Sequence, residues 1–208
     1  MIEAQWTSHQ VTREFESELC RYTGAPFAVA VDNCSNALFL ALTRNNPIVV
    51  SVPKHTYPSV PCEVLHSGAK IRWIDNNEYL SGSYRLAPTN VWDCSLDFTA
   101  DMYLPGQFMC LSFTGPFKHL KLGKGGAILT DDKDSYEWFK KARFSGRSEC
   151  SYLEDTFEMT GWNFYMMPEI AAKGLQLMAQ FYDEHGYKVE NSPKRHRYPD
   201  LSKFPCYA

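Results

Sequence analysis

The sequence predicts an α/β fold, a parallel sheet with helices on its faces. Three observations predict it. Short apolar runs of strand length alternate with helix-period segments from the start of the chain. Helix-capping residue types follow directly on the apolar runs. Hydrophobic residues make up 44% of 208, enough to bury a sizeable core in one domain.

The elements follow in order. Residues 10–22 carry apolar positions at helical spacing and stop at Gly24, Ala25 and Pro26. Residues 27–31 are an apolar run, followed at once by Asp32, Asn33 and Ser35 and then by the apolar stretch 37–42, which reads as strand, tight turn and helix. Residues 48–52 are a second strand, 60–66 a helix, and 70–74 a strand ending at Asp75. Val91 and Trp92 lead into Asp93 at a strand end. Residues 108–113 and 127–129 are further strands, the second preceded by Gly125 and Gly126, and 135–143 and 168–180 read as helices. From Glu184 onward three prolines and the absence of periodicity mark an irregular tail, or the remnant of a further domain. The expected division is therefore one α/β domain over 1–183 and a tail over 184–208.

Composition narrows the function. A net charge of -3 with both signs interspersed gives no footprint for a nucleic-acid backbone. The first 19 residues lack the apolar centre of a signal peptide and no stretch reaches membrane-spanning length, so a cytoplasmic location is expected. Seven cysteines, an odd number without a C-x-x-C pair, fit reduced thiols better than disulfides or zinc, and no metal site is expected. Cys94 and Cys110, beside apolar runs, read as core thiols.

In parallel α/β sheets ligands gather at the carboxyl ends of the strands. Four positions there bear chemistry. After the first strand, Cys34 and Ser35 open a helix whose N–H groups and hydroxyl suit a phosphate, although an ordinary N-cap would look the same. After the second comes Tyr57, an aromatic on which a flat ring could stack. Asp93 is a carboxylate able to pair with a protonated ring nitrogen. Lys118 stands between apolar neighbours before a glycine-rich turn, where burial would make its amine available for a Schiff base.

Taken together, AVAVDNCSNAL (28–38), and FKHL (117–120) leading to GGAILT (125–130), resemble the DegT/DnrJ/EryC1/StrS family of pyridoxal 5'-phosphate (PLP) dependent sugar aminotransferases. Weaker matches are Val52 and Pro53 with Thr56 and Tyr57, Gly68 and Ala69 before the strand ending at Asp75, and Gly161 to Phe164. The resemblance spans roughly residues 12–180. It implies the three-layer α/β/α large domain of the fold type I, aspartate aminotransferase-like enzymes, here trimmed and lacking most of the small C-terminal domain.

It also implies roles. Lys118 would carry PLP as a Schiff base and move a proton, and Asp93 would keep the pyridine nitrogen protonated. Tyr57 would stack on the ring. Cys34, Ser35 and Ser112 would hold the phosphate, and Asn163 would reach the cofactor of a partner in a homodimer. The substrates implied are a nucleotide-linked keto-sugar and an amino acid donor.

Several residues depart from the family pattern. Leu96 stands where a polar contact to the cofactor is usual, with Asp97 beside it. Ser112 lies six residues before Lys118 rather than the family's five, which implies either a one-residue insertion or Thr114 as the phosphate contact. Cys34 replaces a glycine and requires a backbone of negative φ. Tyr165 stands where an arginine is common. Relatives are nearly twice as long, which supports an alternative: a shortened, non-catalytic binding or regulatory protein, or the partner of a longer chain. A third reading, an unrelated nucleotide-binding α/β domain, lacks both a G-x-G-x-x-G after a strand and the spacing of a P-loop.

Overall fold

The computed structural model describes residues 9–115, 118, 120–185 and 196–207. The expectations for the first eight residues, for Phe117 and His119, and for 186–195 of the tail lie outside the described residues.

The chain opens with α1 (Gln10–Thr23), which buries Phe15, Leu19 and Tyr22 along one face at the spacing of a helix. Gly24 ends it in the left-handed conformation at φ 76°, with its N–H returned to Cys20 O, a backbone that glycine adopts without strain. β1 (Phe27–Val31) follows, then α2 (Cys34–Asn45), β2 (Val49–Pro53), α3 (Ser59–His66) and β3 (Lys70–Ile74). Two short strands, β4 (Tyr79–Leu80) and β5 (Tyr84–Arg85), precede β6 (Val91–Cys94), β7 (Phe108–Ser112) and β8 (Gly126–Thr130). Helices α4 (Lys133–Ala142) and α5 (Pro168–His185) lie beyond them, α5 running further than the expected end at 180.

The layers follow from the alternation of side chains along the strands. On β1, Val29 and Val31 enter a core formed with α2, α3 and α4, whereas Ala28 and Ala30 face α1 and α5 in a second core. On β8, Ile128 joins the first core, and Ala127 and Leu129 the second. The result is a three-layer α/β/α arrangement.

The sheet differs from the parallel one expected. Its strand order is β1-β8-β7-β6-β5, and only β6 and β7 run parallel within it; β1 with β8, β8 with β7, and β6 with β5 are antiparallel. The physical reason is burial on both faces. Strands such as FMCLS and GAILT are apolar up to their last residue, which removes the alternation that marks a half-exposed antiparallel strand. The loop after β7 folds back along it, with Phe113 N–H donating to Gly125 O at 2.9 Å and Leu122 N–H to Phe113 O at 3.2 Å. β2 and β3 form a separate parallel pair, joined to the residues after β5 by Ser51 N–H donating to Ala87 O at 2.7 Å.

Two further differences bear on the site. Asp93 lies within β6 rather than beyond it, paired with Cys110 on one side and Tyr84 on the other. Residues 196–207 carry β9 (His196–Arg197), paired antiparallel with β4, and two single-turn 3-10 helices.

Candidate active site

The chain leaves β1 at Val31 and enters α2 through Asp32 and Asn33. The Asn33 side chain accepts from Asn36 N–H at 2.8 Å, which is the N-cap, and Ala37 N–H donates to Asn33 O at 3.2 Å. The first-turn amides of Cys34 and Ser35 have no acceptor within a helix by construction. Both residues line a cavity of about 790 Å³. β8 passes so close beneath this turn that a Cβ on Gly126 would lie 2.6 Å from Asn33 C and Cys34 N. Only glycine lets the strand and the helix N-terminus approach in this way.

Six of the seven residues expected at the site line that one cavity: Cys34, Ser35, Tyr57, Asp93, Ser112 and Lys118. The Cys34 thiol is engaged with the strand beneath it. Its Sγ lies 3.5 Å from Cys110 O, and burial, with Asp93 nearby, pushes the thiol well above its ordinary range. Cys34 begins α2 and is not among the residues of positive φ, so replacing a glycine costs no strain. The Ser35 hydroxyl donates to Ser59 Oγ at 2.6 Å.

Asp93 is 2% exposed. Its Oδ1 accepts from Ser95 N–H at 2.9 Å and its Oδ2 from the Tyr84 hydroxyl at 2.8 Å. The Tyr84 oxygen is in turn 2.6 Å from Thr56 Oγ1. Burial, with the Asp93 charge adding to it, pushes the Tyr84 phenol well above its ordinary range, so it remains a donor. Lys118 Nζ donates to Ser95 O, so the lysine and the carboxylate meet at the same residue of the loop after β6.

Ser112 and Thr114 both line the cavity, with Thr114 N–H 3.4 Å from Ser112 Oγ. Leu96 lines it as well, while Asp97 Oδ2 accepts from Ser83 Oγ at 3.4 Å and is not a lining residue. Tyr57 is 56% exposed and is among the lining residues. Asn163 is not brought here: it is exposed and bridges to Phe144.

Sequence reasoning missed three residues. Tyr84, which orients Asp93, lies in a stretch without periodicity. His196 and Tyr198 line the cavity from residues read as an irregular tail, and nothing in their spacing announces a site. His55, beside the site in sequence, has Nδ1 2.8 Å from Tyr198 O.

The donor set fits PLP. A helix N-terminus with hydroxyls beside it suits a phosphate. A buried carboxylate held by two donors suits a protonated ring nitrogen, and an amine stands across the loop from it. Among the described residues there is no group of three or more His, Cys, Asp or Glu placed to hold a metal, and no helix is long and apolar enough to cross a membrane.

Comparison with known proteins gives the same direction. The model of the DegT/DnrJ/EryC1/StrS aminotransferase family matches residues 1–85 and 105–191. No curated protein matches the chain. Among solved structures, AtS13 from Actinomadura melliaura superposes with a TM-score of 0.70 at 20% identity, over 90% of this chain and 69% of that one. The sugar aminotransferase CalS13 from Micromonospora echinospora gives 0.67 at 19%, over 90% and 70%. DesV from S. venezuelae, solved in complex with a ketimine intermediate, gives 0.67 at 21%, over 83% of this chain and 57% of that one. The chain thus spans between 57% and 70% of the length of these three. The likeness extends to the fold of PLP-dependent aminotransferases, and the family match covers most of the sequence. This chain belongs to the DegT/DnrJ/EryC1/StrS aminotransferase family.

Proposed function

We propose that the chain binds PLP at Lys118 and transfers an amino group from an amino acid to the keto carbon of a nucleotide-linked sugar, as a homodimer in the cytoplasm. One observation carries this reading: the Lys118 amine and the Asp93 carboxylate are held against the same residue, Ser95, in a cavity that also exposes the N-terminus of α2.

Bound PLP would supply an electron sink for the carbon that loses its proton. The residues do the rest. The Cys34 and Ser35 amides, with the Ser35 hydroxyl and Ser112 or Thr114, would bind the phosphate. Asp93 would hold the proton on the pyridine nitrogen, and Tyr84 holds Asp93. Tyr57 would cover one face of the ring. Lys118, once its amine is released by the incoming amino acid, would take the proton from the substrate carbon and return it elsewhere. Asn163, exposed and away from this cavity, would act on the cofactor of a partner.

The test is an absorption spectrum with added PLP, before and after borohydride, with the modified peptide mapped by mass spectrometry. Label confined to Lys118, and lost in Lys118→Ala, is the expected outcome; label scattered over surface lysines sinks the reading. Transfer is then read by adding L-glutamate to the loaded protein, which should release 2-oxoglutarate equal to the bound PLP. A second reading, in which the cavity holds the cofactor without moving an amino group, is favoured by Leu96, which lines the cavity while Asp97 turns to Ser83. It predicts label on Lys118 and no 2-oxoglutarate.

A further inference from the structure

The C-terminal arm is tied down mainly by backbone bonds. β9 pairs with β4, Tyr79 opposite Arg197 and Leu80 opposite His196. Tyr198 N–H donates to Glu78 O at 3.0 Å and Leu201 N–H to Lys54 O at 2.8 Å. Tyr198 O lies 2.8 Å from His55 Nδ1, and the Tyr207 hydroxyl donates to Pro58 O at 3.2 Å. Leu201 is 3% exposed and anchors the arm beside the end of β2. These bonds fix the arm to the segments that carry Thr56, Tyr57 and α3, which is one side of the cavity.

Alternation then decides which side chains look inward. In an extended segment residues i and i+2 share a face. Arg197 points away and pairs with Glu78, Nε to Oε2 at 3.1 Å. His196 and Tyr198 both line the cavity. Their rings stack at 6.2 Å between centroids with 27° between planes, and Tyr198 meets Tyr57 edge to face at 6.4 Å and 83°. Tyr198 and Asp93 line the same cavity, and burial, then the charge of Asp93, pushes the Tyr198 phenol up to about 12, so it stays protonated.

We propose that residues 196–207 form a built-in cover over the PLP cavity, with His196 and Tyr198 as cofactor-shielding residues and Tyr198 also bracing Tyr57. This rests on the cofactor reading above. It assigns to these two residues a role in retaining the cofactor and keeping water from it, separate from attachment at Lys118. Removing the two rings leaves the backbone bonds of the arm in place, whereas Leu201→Asp places a charge in a buried seat and releases the arm while leaving both rings in the chain.

The experiment compares wild type, the double variant His196→Ala/Tyr198→Ala, and Leu201→Asp, each checked for an unchanged far-ultraviolet circular dichroism spectrum. Two quantities are read: the Kd for PLP from quenching of tryptophan fluorescence, and the rate at which borohydride reduces the bound cofactor. Loss of an aromatic wall predicts about fivefold weaker binding and reduction faster by a similar factor in the double variant. Leu201→Asp should move both in the same direction. A double variant that binds PLP and reacts as wild type does overturns the cover even if Leu201→Asp fails to fold. Wild type that takes up no PLP overturns the cofactor reading itself, and with it this one.

Discussion

The Tyr84 hydroxyl donates to Asp93 Oδ2 at 2.8 Å, the carboxylate buried and the tyrosine half-buried. Since the phenol proton is committed to the carboxylate, Thr56 Oγ1, 2.6 Å away, is the donor to Tyr84. A chain of two donors thus ends on the carboxylate that Ser95 N–H holds from the other side. Tyr84→Phe removes one donor from Asp93 and the acceptor of Thr56. It should destabilise the fold by about 1–2 kcal/mol, the cost of leaving buried polar groups short of a partner. Urea denaturation measures this, and an unchanged midpoint would show that the bond contributes nothing.

Asp93→Asn separates two roles of the same residue. The amide keeps the shape of the carboxylate but cannot hold a proton on the pyridine nitrogen, so amino transfer should fall by at least about a hundredfold, the scale on which charge placement acts at a reacting centre. The Kd for PLP should change much less, because on the proposed reading the α2 N-terminus and Lys118 would supply most of the hold. Release of 2-oxoglutarate after L-glutamate addition, beside fluorescence titration with PLP, reads the two separately. Equal losses in both would mean that Asp93 is a binding group only.

Gly126→Ala tests the approach of β8 to α2. The added methyl would stand 2.6 Å from the Asn33 and Cys34 backbone, which cannot swing aside as a side chain can. Overpacking of this kind costs about 1–3 kcal/mol, and here the displaced atoms begin the proposed phosphate cradle, so PLP binding should weaken with stability. Gly106→Ala is the control: at φ 76° with nothing within 4 Å, it carries backbone strain alone and should leave PLP binding unchanged. Equal effects of the two on PLP binding would remove the cradle from the account.

The gathering of the site residues was legible in the sequence because most of them follow closely on apolar strand-length runs. Strand, turn and cap at 27–38 and lysine before paired glycines were readable without coordinates, and the cavity brings them together. Strand direction was not readable, since β7 and β8 are buried on both faces and carry no alternation. Tyr84 and Tyr198 were hidden for a different reason. Each reaches the site through a two-residue strand whose partner is distant or non-periodic, β5 against β6 and β9 against β4. Pairings that short leave no hydrophobic pattern, so only the folded chain reveals them.

The cysteines should separate by burial. Cys150 and Cys206 are exposed and should react at once with a thiol reagent at neutral pH. Cys34, Cys94 and Cys110 are buried together, and burial first, with Asp93 among the further causes, pushes each thiol well above its ordinary range. They should stay silent until denaturant is added. Cys20, half-buried and pushed up to about 11, should react slowly. Peptide mapping of the labelled protein checks the order, and early modification of Cys34 would contradict the burial of its thiol.

Acid should weaken the fold through Glu149. Arg143 is fully buried, donating from Nη1 to Glu16 and Ala30 O and from Nη2 to Glu149 Oε1 at 3.0 Å. Glu149 Oε2 also accepts from Arg13 at 2.9 Å and Lys140 at 3.0 Å. Burial alone would raise the Glu149 carboxyl, but Arg143 and then Lys140 outweigh it and hold it below its ordinary 4.5. The unfolded chain therefore takes up this proton at higher pH than the folded one. The stabilisation is complete above the ordinary value and is lost as pH falls through the folded value. Glu149→Gln removes that dependence and leaves the buried guanidinium with Glu16 as its remaining carboxylate, at a cost of about 3 kcal/mol near neutral pH. Urea midpoints measured from neutral pH down through the carboxylate range should fall steeply for wild type and less steeply for the variant. Parallel curves would assign the acid sensitivity to another group.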